Sequence, residues 1–214
     1  MLDNLVNLLF PKTCFSCEIR LLKNEKTICT KCENSLQFLS EMPLNNNFHF
    51  DKIVSLFQFN SVSRKLIHAL KYDEIKIISQ FFAEKFKIYY NLNYPFKEID
   101  FIAPVPLHLV KKRDRGFNQA EILTKEIAKI MSWQHIPNLI KRTKFTKTQT
   151  KLSKIQREKN VANAFKINKK YSVVDKNILI VDDVFTTGST LNSIAKTLQK
   201  ENPKNIFALT IMRA

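Results

Sequence analysis

Residues Ile178–Thr190 read ILIVDDVFTTGST, and the order of residue types within them decides the fold class. Four apolar residues, Ile178 to Val181, make a buried strand. Two adjacent carboxylates, Asp182 and Asp183, follow at its carboxyl end. The small, hydroxyl-rich loop Phe185–Thr190 then leads into Leu191, Ile194, Ala195 and Leu198, spaced as one face of a helix. Open α/β sheets bind their ligands at this end of the strands. The loop can aim successive backbone N–H groups, hydroxyls and a helix N-terminus at one phosphate. Gly188 is one of only two glycines in 214 residues, which suggests a backbone that must approach an anion closely. An ordinary strand-to-helix turn would account for the hydroxyls but not for the paired Asp.

The surrounding text, residues 45–214, repeats the alternation of strand and helix. Lys52–Phe59 is strand-like, and Val62, Leu66, Ile67 and Leu70 mark a helix. A second helix places Ile75, Ile78, Phe82, Phe86 and Tyr89 in register. A strand at Ile99–Ala103 runs into Pro104-Val-Pro106, and a third helix carries Ala120, Leu123, Ile127 and Ile130. A polar stretch without clear periodicity precedes the strand Asn177–Val181, and Asn205–Ile211 closes the chain as a strand. Such alternation predicts an α/β fold, a mostly parallel sheet flanked by helices.

The acidic pair offers too few ligands for a metal cage. Carboxylates do accept hydrogen bonds from the vicinal hydroxyls of a ribose, whose phosphate would then fall in the following loop. Phosphoribosyl diphosphate requires that combination. The segment resembles the signature of type I phosphoribosyltransferases, and it lacks the lysine-bearing pattern of a Walker loop. The resemblance implies that Asp182 and Asp183 hold the ribose hydroxyls at the catalytic centre. It also implies that Thr186, Thr187, Gly188, Ser189 and Thr190 hold the 5-phosphate. Binding is expected to need Mg²⁺, bridging mainly pyrophosphate and ribose oxygens.

The second glycine lies in Lys111-Lys-Arg-Asp-Arg-Gly116-Phe-Asn-Gln119. Its cations, with Arg113 and Arg115 foremost, are expected to grip pyrophosphate, as the corresponding loop does in phosphoribosyltransferases. The alternative is a solvated basic loop at the head of a helix, where cations oppose the macrodipole. Lys141–Asn163 is long, polar and lysine-rich. It reads either as a mobile lid contributing Gln149, Arg157 and Asn160, or as a surface helix.

The first 44 residues are a different object. Cys14, Cys17, Cys29 and Cys32 form C-x2-C-x11-C-x2-C, a spacing suited to one tetrahedral, structural Zn²⁺. Disulfides would need an oxidising compartment, and a redox pair would need only two of the four. The module either touches nucleic acid through its lysines or simply staples a segment too small to fold alone. Before it, Leu2, Leu5, Val6 and Leu9 suggest a short amphipathic helix.

Thirty-five Lys and Arg against 19 Asp and Glu leave a net charge of +16. This points to a polyanionic partner, or to the Lys-, Asn- and Ile-rich usage of an A+T-rich coding sequence. No apolar run is long enough for a transmembrane segment. Asp3 stands where a signal peptide wants positive charge, so a soluble, intracellular protein is expected.

Taken in order, the four-cysteine module, LKY at Leu70–Tyr72, PVPLH at Pro104–His108, RGFNQA at Arg115–Ala120, the TQ and R-x2-NV elements of the lid, and IVDDVFTTGST resemble the ComF-type competence proteins. The resemblance implies a role in natural transformation (DNA uptake), acting on incoming single-stranded DNA in the cytoplasm at the inner membrane, in company with other DNA-uptake proteins. It implies a phosphoribosyltransferase fold whose acceptor is open. Two functions follow: a phosphoribosyl diphosphate-binding module that handles single-stranded DNA, or a genuine phosphoribosyltransferase with an unidentified acceptor, such as a nucleotide salvage enzyme. Phe15 and Phe117 are expected to be exposed aromatics on which bases stack.

Overall fold

A computed structural model describes residues 11–44, 47–72, 75–107, 109–143 and 164–214. The helix expected around Leu2–Leu9 lies outside these residues, as do His108 and the lid residues Gln149, Arg157 and Asn160. In chain order the elements are α1 (Thr30–Asn34), β1 (Lys52–Gln58), α2 (Ser61–Tyr72), α3 (Ile75–Asn93), β2 (Phe101–Pro104), α4 (Leu109–Arg115), α5 (Gln119–Met131), β3 (Gln134–His135), β4 (Ile140–Arg142), β5 (Phe165–Ile167), β6 (Asn177–Phe185), α6 (Ser189–Gln199) and β7 (Asn205–Arg213).

Five strands form one sheet in the order β1-β7-β6-β2-β3, and every pairing in it is parallel. The central strand β6 holds Ile178 to Val181 wholly out of solvent, which is why it reads as an unbroken apolar run. Its side chains alternate between two cores. Leu179 and Val181 pack with Leu66, Leu70, Phe82, Phe86, Leu123 and Ile127 on the face covered by α2, α3 and α5. Ile178 and Ile180 pack with Leu191, Ile194, Ala195 and Leu198 of α6 on the other.

Three sequence expectations change. β6 continues to Phe185 instead of stopping at Val181, because β7 pairs with it as far as Phe185 opposite Arg213. The acidic pair is therefore part of the strand. The basic segment before Gly116 is the helix α4 and not a loop. Arg113 and Arg115 stand in its last turn, where the macrodipole favours cations. The polar stretch contains an antiparallel pair, β4 with β5, and Lys141 and Arg142 belong to it, not to a lid.

The four-cysteine module is built into the main core. Cys14, Ile28, Cys29, Cys32 and Leu36 share one apolar cluster with Phe82 and Phe86. Phe38 stacks on Phe57 of β1 at 5.2 Å and meets Tyr89 of α3 edge-on at 5.4 Å. Lys85 of α3 pairs with Glu33, Lys65 of α2 donates to the Ser16 carbonyl, and Asn60 Nδ2 donates to the Ser35 carbonyl at 3.0 Å. Phe15 is half-buried against this core, and Phe117 is also half-buried, so neither is the exposed stacking platform expected.

Candidate functional site

A cavity of about 840 Å³ opens across the carboxyl ends of β1, β7, β6 and β2. Asp182, Asp183, Thr186, Thr187, Gly188, Ser189, Thr190 and Arg115 all line it. The chain order of the sheet explains the convergence, since every parallel strand delivers its following loop to the same edge. Arg113 is not among the lining residues. It is largely exposed, and its nearest charged partner is Asp114 at 3.8 Å. Of the two arginines expected on pyrophosphate, the fold brings only Arg115 to the cavity.

Asp182 and Asp183 stand side by side at the cavity end of β6, both lining the cavity and with their carboxylates near enough to act on each other. Asp183, on the face of α2 and α5, sits 3.1 Å from Lys71 Nζ and accepts from Gln119 Nε2 at 3.3 Å. Arg115 in turn donates to Gln119 Oε1. Asp182 Oδ1 accepts the backbone N–H of Asp183 at 2.9 Å. Asp182 retains some solvent contact but is enclosed by protein on the cavity floor. Burial first, and the Asp183 carboxylate second, hold its pKa well above the usual carboxylate range. Arg142, at the end of β4, lines the cavity and stacks its guanidinium on Phe165 at 5.6 Å. Burial draws the guanidinium down, and the charge of Asp182 opposes that shift.

The loop after β6 turns on Gly188, which has φ +71° and precedes the first residue of α6. A Cβ there would meet the Phe185 ring at 2.7 Å and Phe48 at 2.8 Å. Backbone conformation and two aromatic rings beside the loop both favour glycine here, a steric reason that stands beside the anion approach read from the sequence. Thr187 Oγ1 and Ser189 Oγ lie 2.7 Å apart, so two hydroxyls converge at the helix start. On the other side, Asn118 caps α5 by accepting from the Ala120 N–H at 3.2 Å, and its Nδ2 donates to the Val105 carbonyl at 3.0 Å. That bond ties the Arg115–Ala120 turn to the end of β2.

Lys71, Gln119 and Arg142 are site residues that sequence reasoning did not single out. Lys71 and Gln119 stood inside the LKY and RGFNQA motifs, so motif membership was their only signal. Nothing local marks Arg142.

The four thiols lie apart from the cavity, with their sulfurs all within 4.8 Å of one another. Cys17 Sγ and Cys29 Sγ are 3.6 Å apart, near the roughly 3.8 Å edge of a tetrahedron with Zn–S bonds of about 2.3 Å. That separation is far beyond a disulfide bond. Burial raises the Cys14 thiol, but backbone N–H groups of Cys17, Cys29 and Ser16 outweigh it and bring it down to about 7. Cys29 N donates to Cys14 Sγ at 3.3 Å and Ser16 N at 3.4 Å, the kind of support a metal-bound thiolate needs. The cluster is a structural zinc site, with four protein ligands and no position left open for catalysis.

Residues 114–214 match the phosphoribosyl transferase domain family, and residues 5–44 match the double zinc ribbon domain. Competence protein F of Haemophilus influenzae is 39% identical over 114 residues, covering 53% of this chain and 50% of that protein. The chain thus aligns with half the length of that relative. DNA utilization protein YhgH of Shigella flexneri is 27% identical over 201 residues, covering 91% and 87% respectively. Competence protein ComFC of Bacillus subtilis is 24% identical over 216 residues, covering 95% and 85%. Among the described residues no helix is long and apolar enough to cross a membrane.

Proposed function

We propose that this chain, which belongs to the ComF family of competence proteins, serves DNA uptake by handling incoming single-stranded DNA in the cytoplasm, with phosphoribosyl diphosphate as the ligand of its cavity. The observation that carries the reading is the convergence of the acidic pair and the Thr186–Thr190 loop on one cavity at the carboxyl edge of a parallel sheet. The loop would take the 5-phosphate through backbone N–H groups, the Thr187 and Ser189 hydroxyls and the start of α6. Asp182 and Asp183 would accept the ribose hydroxyls side by side on the cavity floor. Arg115 would face the diphosphate, with Mg²⁺ neutralising its oxygens. DNA would be held mainly by charge, since +16 makes the protein a counterion for a phosphate backbone.

Calorimetry with phosphoribosyl diphosphate, with and without Mg²⁺, tests the cavity. Wild type should bind, and Asp182→Asn with Asp183→Asn should lose most of the affinity. Equal binding by both proteins would remove the acidic pair from the site. For the biological role, rescue of transformation in a deletion strain by wild type but not by Asp183→Asn is the expected result.

The second reading, a transferase, is favoured by the size of the cavity, which leaves room beside the ribose for an acceptor. Transfer would break the bond from ribose C1 to the diphosphate and form one from C1 to the acceptor. Arg115 would stabilise the departing charge, and no protein nucleophile would be required. Pyrophosphate release above the level of the double-Asp variant, screened across bases and nucleotides, decides between the readings.

A further inference from the structure

One wall of the cavity is left without a role by the phosphoribosyl reading. Phe59 follows β1 at the rim and is 38% exposed. In α2, Arg64, His68 and Lys71 stand at i, i+4 and i+7, a spacing that puts all three on one helix face. All four residues line the cavity. Lys71 pairs with Asp183 at 3.1 Å, and Arg64 and His68 are solvent-exposed on the same face. At 1.5 Å per residue, Arg64 lies about 10 Å along the helix axis from Lys71, on the order of one nucleotide unit. Among the described lining residues the acidic side chains are Asp182 and Asp183 alone, both on the floor. The α2 wall is therefore aromatic at its edge and carries the basic side chains Arg64, His68 and Lys71 along its length. A site for a neutral base would be built from apolar surface and amide-like partners. A cationic face beside a ring suits a group carrying both phosphate and base.

We propose that the α2 wall is a second subsite, which takes a phosphorylated nucleoside unit with its base against Phe59 and its phosphate on Arg64 and His68. The subsite rests on the phosphoribosyl reading for its neighbour on the floor, but its own residues are separate. Lys65, next to Arg64, donates to the Ser16 carbonyl between two zinc ligands, so the zinc ribbon holds this wall in place.

The probes are thymidine monophosphate and a fluorescent oligothymidylate, titrated against the full, zinc-loaded chain. The variants are Arg64→Glu and Phe59→Ala, and Lys87→Glu, on the exposed side of α3, carries the same charge change elsewhere. Arg64→Glu should weaken probe binding by about tenfold or more and Phe59→Ala by a similar factor, while Lys87→Glu changes it by less than about threefold. Phosphoribosyl diphosphate affinity should stay within about threefold in both wall variants. Binding of the mononucleotide and the oligomer alike supports the subsite and identifies free nucleotides as a source. Binding of the oligomer alone supports it with the strand as the source. Equal losses in Arg64→Glu and Lys87→Glu would overturn it in favour of diffuse charge, as would no binding of either probe to wild type. Wall-dependent nucleotide binding without any phosphoribosyl diphosphate binding would leave the subsite standing and remove the reading of the floor.

Discussion

Lys71 Nζ lies 3.1 Å from Asp183 Oδ2, joining the end of α2 to the carboxyl edge of the central strand. The pair is mostly shielded from solvent, with side-chain exposures of 27% and 11%. Gln119 completes the setting by donating to the same oxygen. A carboxylate on the ligand floor is thus already neutralised before any ligand arrives, and the residue that does it belongs to the wall proposed to take a nucleotide.

Removing one member of this pair should cost more than removing both. Lys71→Met leaves the largely buried Asp183 carboxylate without its cation, at a cost of about 1–2 kcal/mol, between the values for exposed and buried pairs. Adding Asp183→Asn should return most of that loss. Thermal denaturation of the two single variants and the double variant measures the coupling. Strictly additive losses would mean that the contact contributes nothing.

Asp182 should make stability and ligand affinity respond to pH in opposite directions. Its folded pKa is raised above the ordinary carboxylate value of 3.8 by burial and by Asp183. Between that value and the folded pKa the native state holds more protons than the unfolded chain, so this contribution is full at low pH and is lost as pH rises. Asp182→Asn should therefore raise the neutral-pH Tm by roughly 2–4 °C, the shift expected from about 1 kcal/mol in a chain of this size. Phosphoribosyl diphosphate affinity should fall on acidification, because only the carboxylate accepts both ribose hydroxyls. Melting curves and calorimetry across that range check the two signs.

Gly188→Ala and Gly116→Ala separate steric from conformational cost. Both glycines have positive φ, +71° and +83°, but an added Cβ meets two rings at Gly188 and nothing within 4 Å at Gly116. Gly116→Ala should lose about 1–2 kcal/mol of stability from conformation alone. Gly188→Ala should lose more, and should weaken phosphoribosyl diphosphate binding by moving the Thr186–Thr190 loop. Equal stability losses would show that Phe48 and Phe185 yield at no cost.

Zinc removal should destabilise the whole chain and not just its first 44 residues. Elemental analysis should find about one equivalent per chain, absent in Cys14→Ser. The ribbon shares its apolar core with α3 and is tied to α2 and α3 by Lys65 and Lys85. Cys14→Ser should accordingly melt in one lowered transition. A separate early transition, with the main one unmoved, would show that the ribbon unfolds independently.

Features that repeat over short distances are legible in the chain before it folds. An apolar run ending in two carboxylates and a glycine-bearing hydroxyl loop has few structural solutions. The spacing of four cysteines likewise specifies a tetrahedral site, because ligand geometry is local. Alternating helical and strand periodicities carried the parallel sheet for the same reason. Only the tertiary structure decided which side chains meet. Asp182 and Asp183 both come to the cavity at the end of β6, where Lys71 pairs with Asp183 and the charge of Asp182 acts on Arg142, from elements remote in sequence. Arg115 enters the cavity and Arg113 does not because both lie on a helix, where two residues' separation turns a side chain by about 200°. These choices follow from the order β1-β7-β6-β2 and from the crossovers that carry α2 and α5 over one face. Local periodicity records which face of an element is buried, but not which other element buries it.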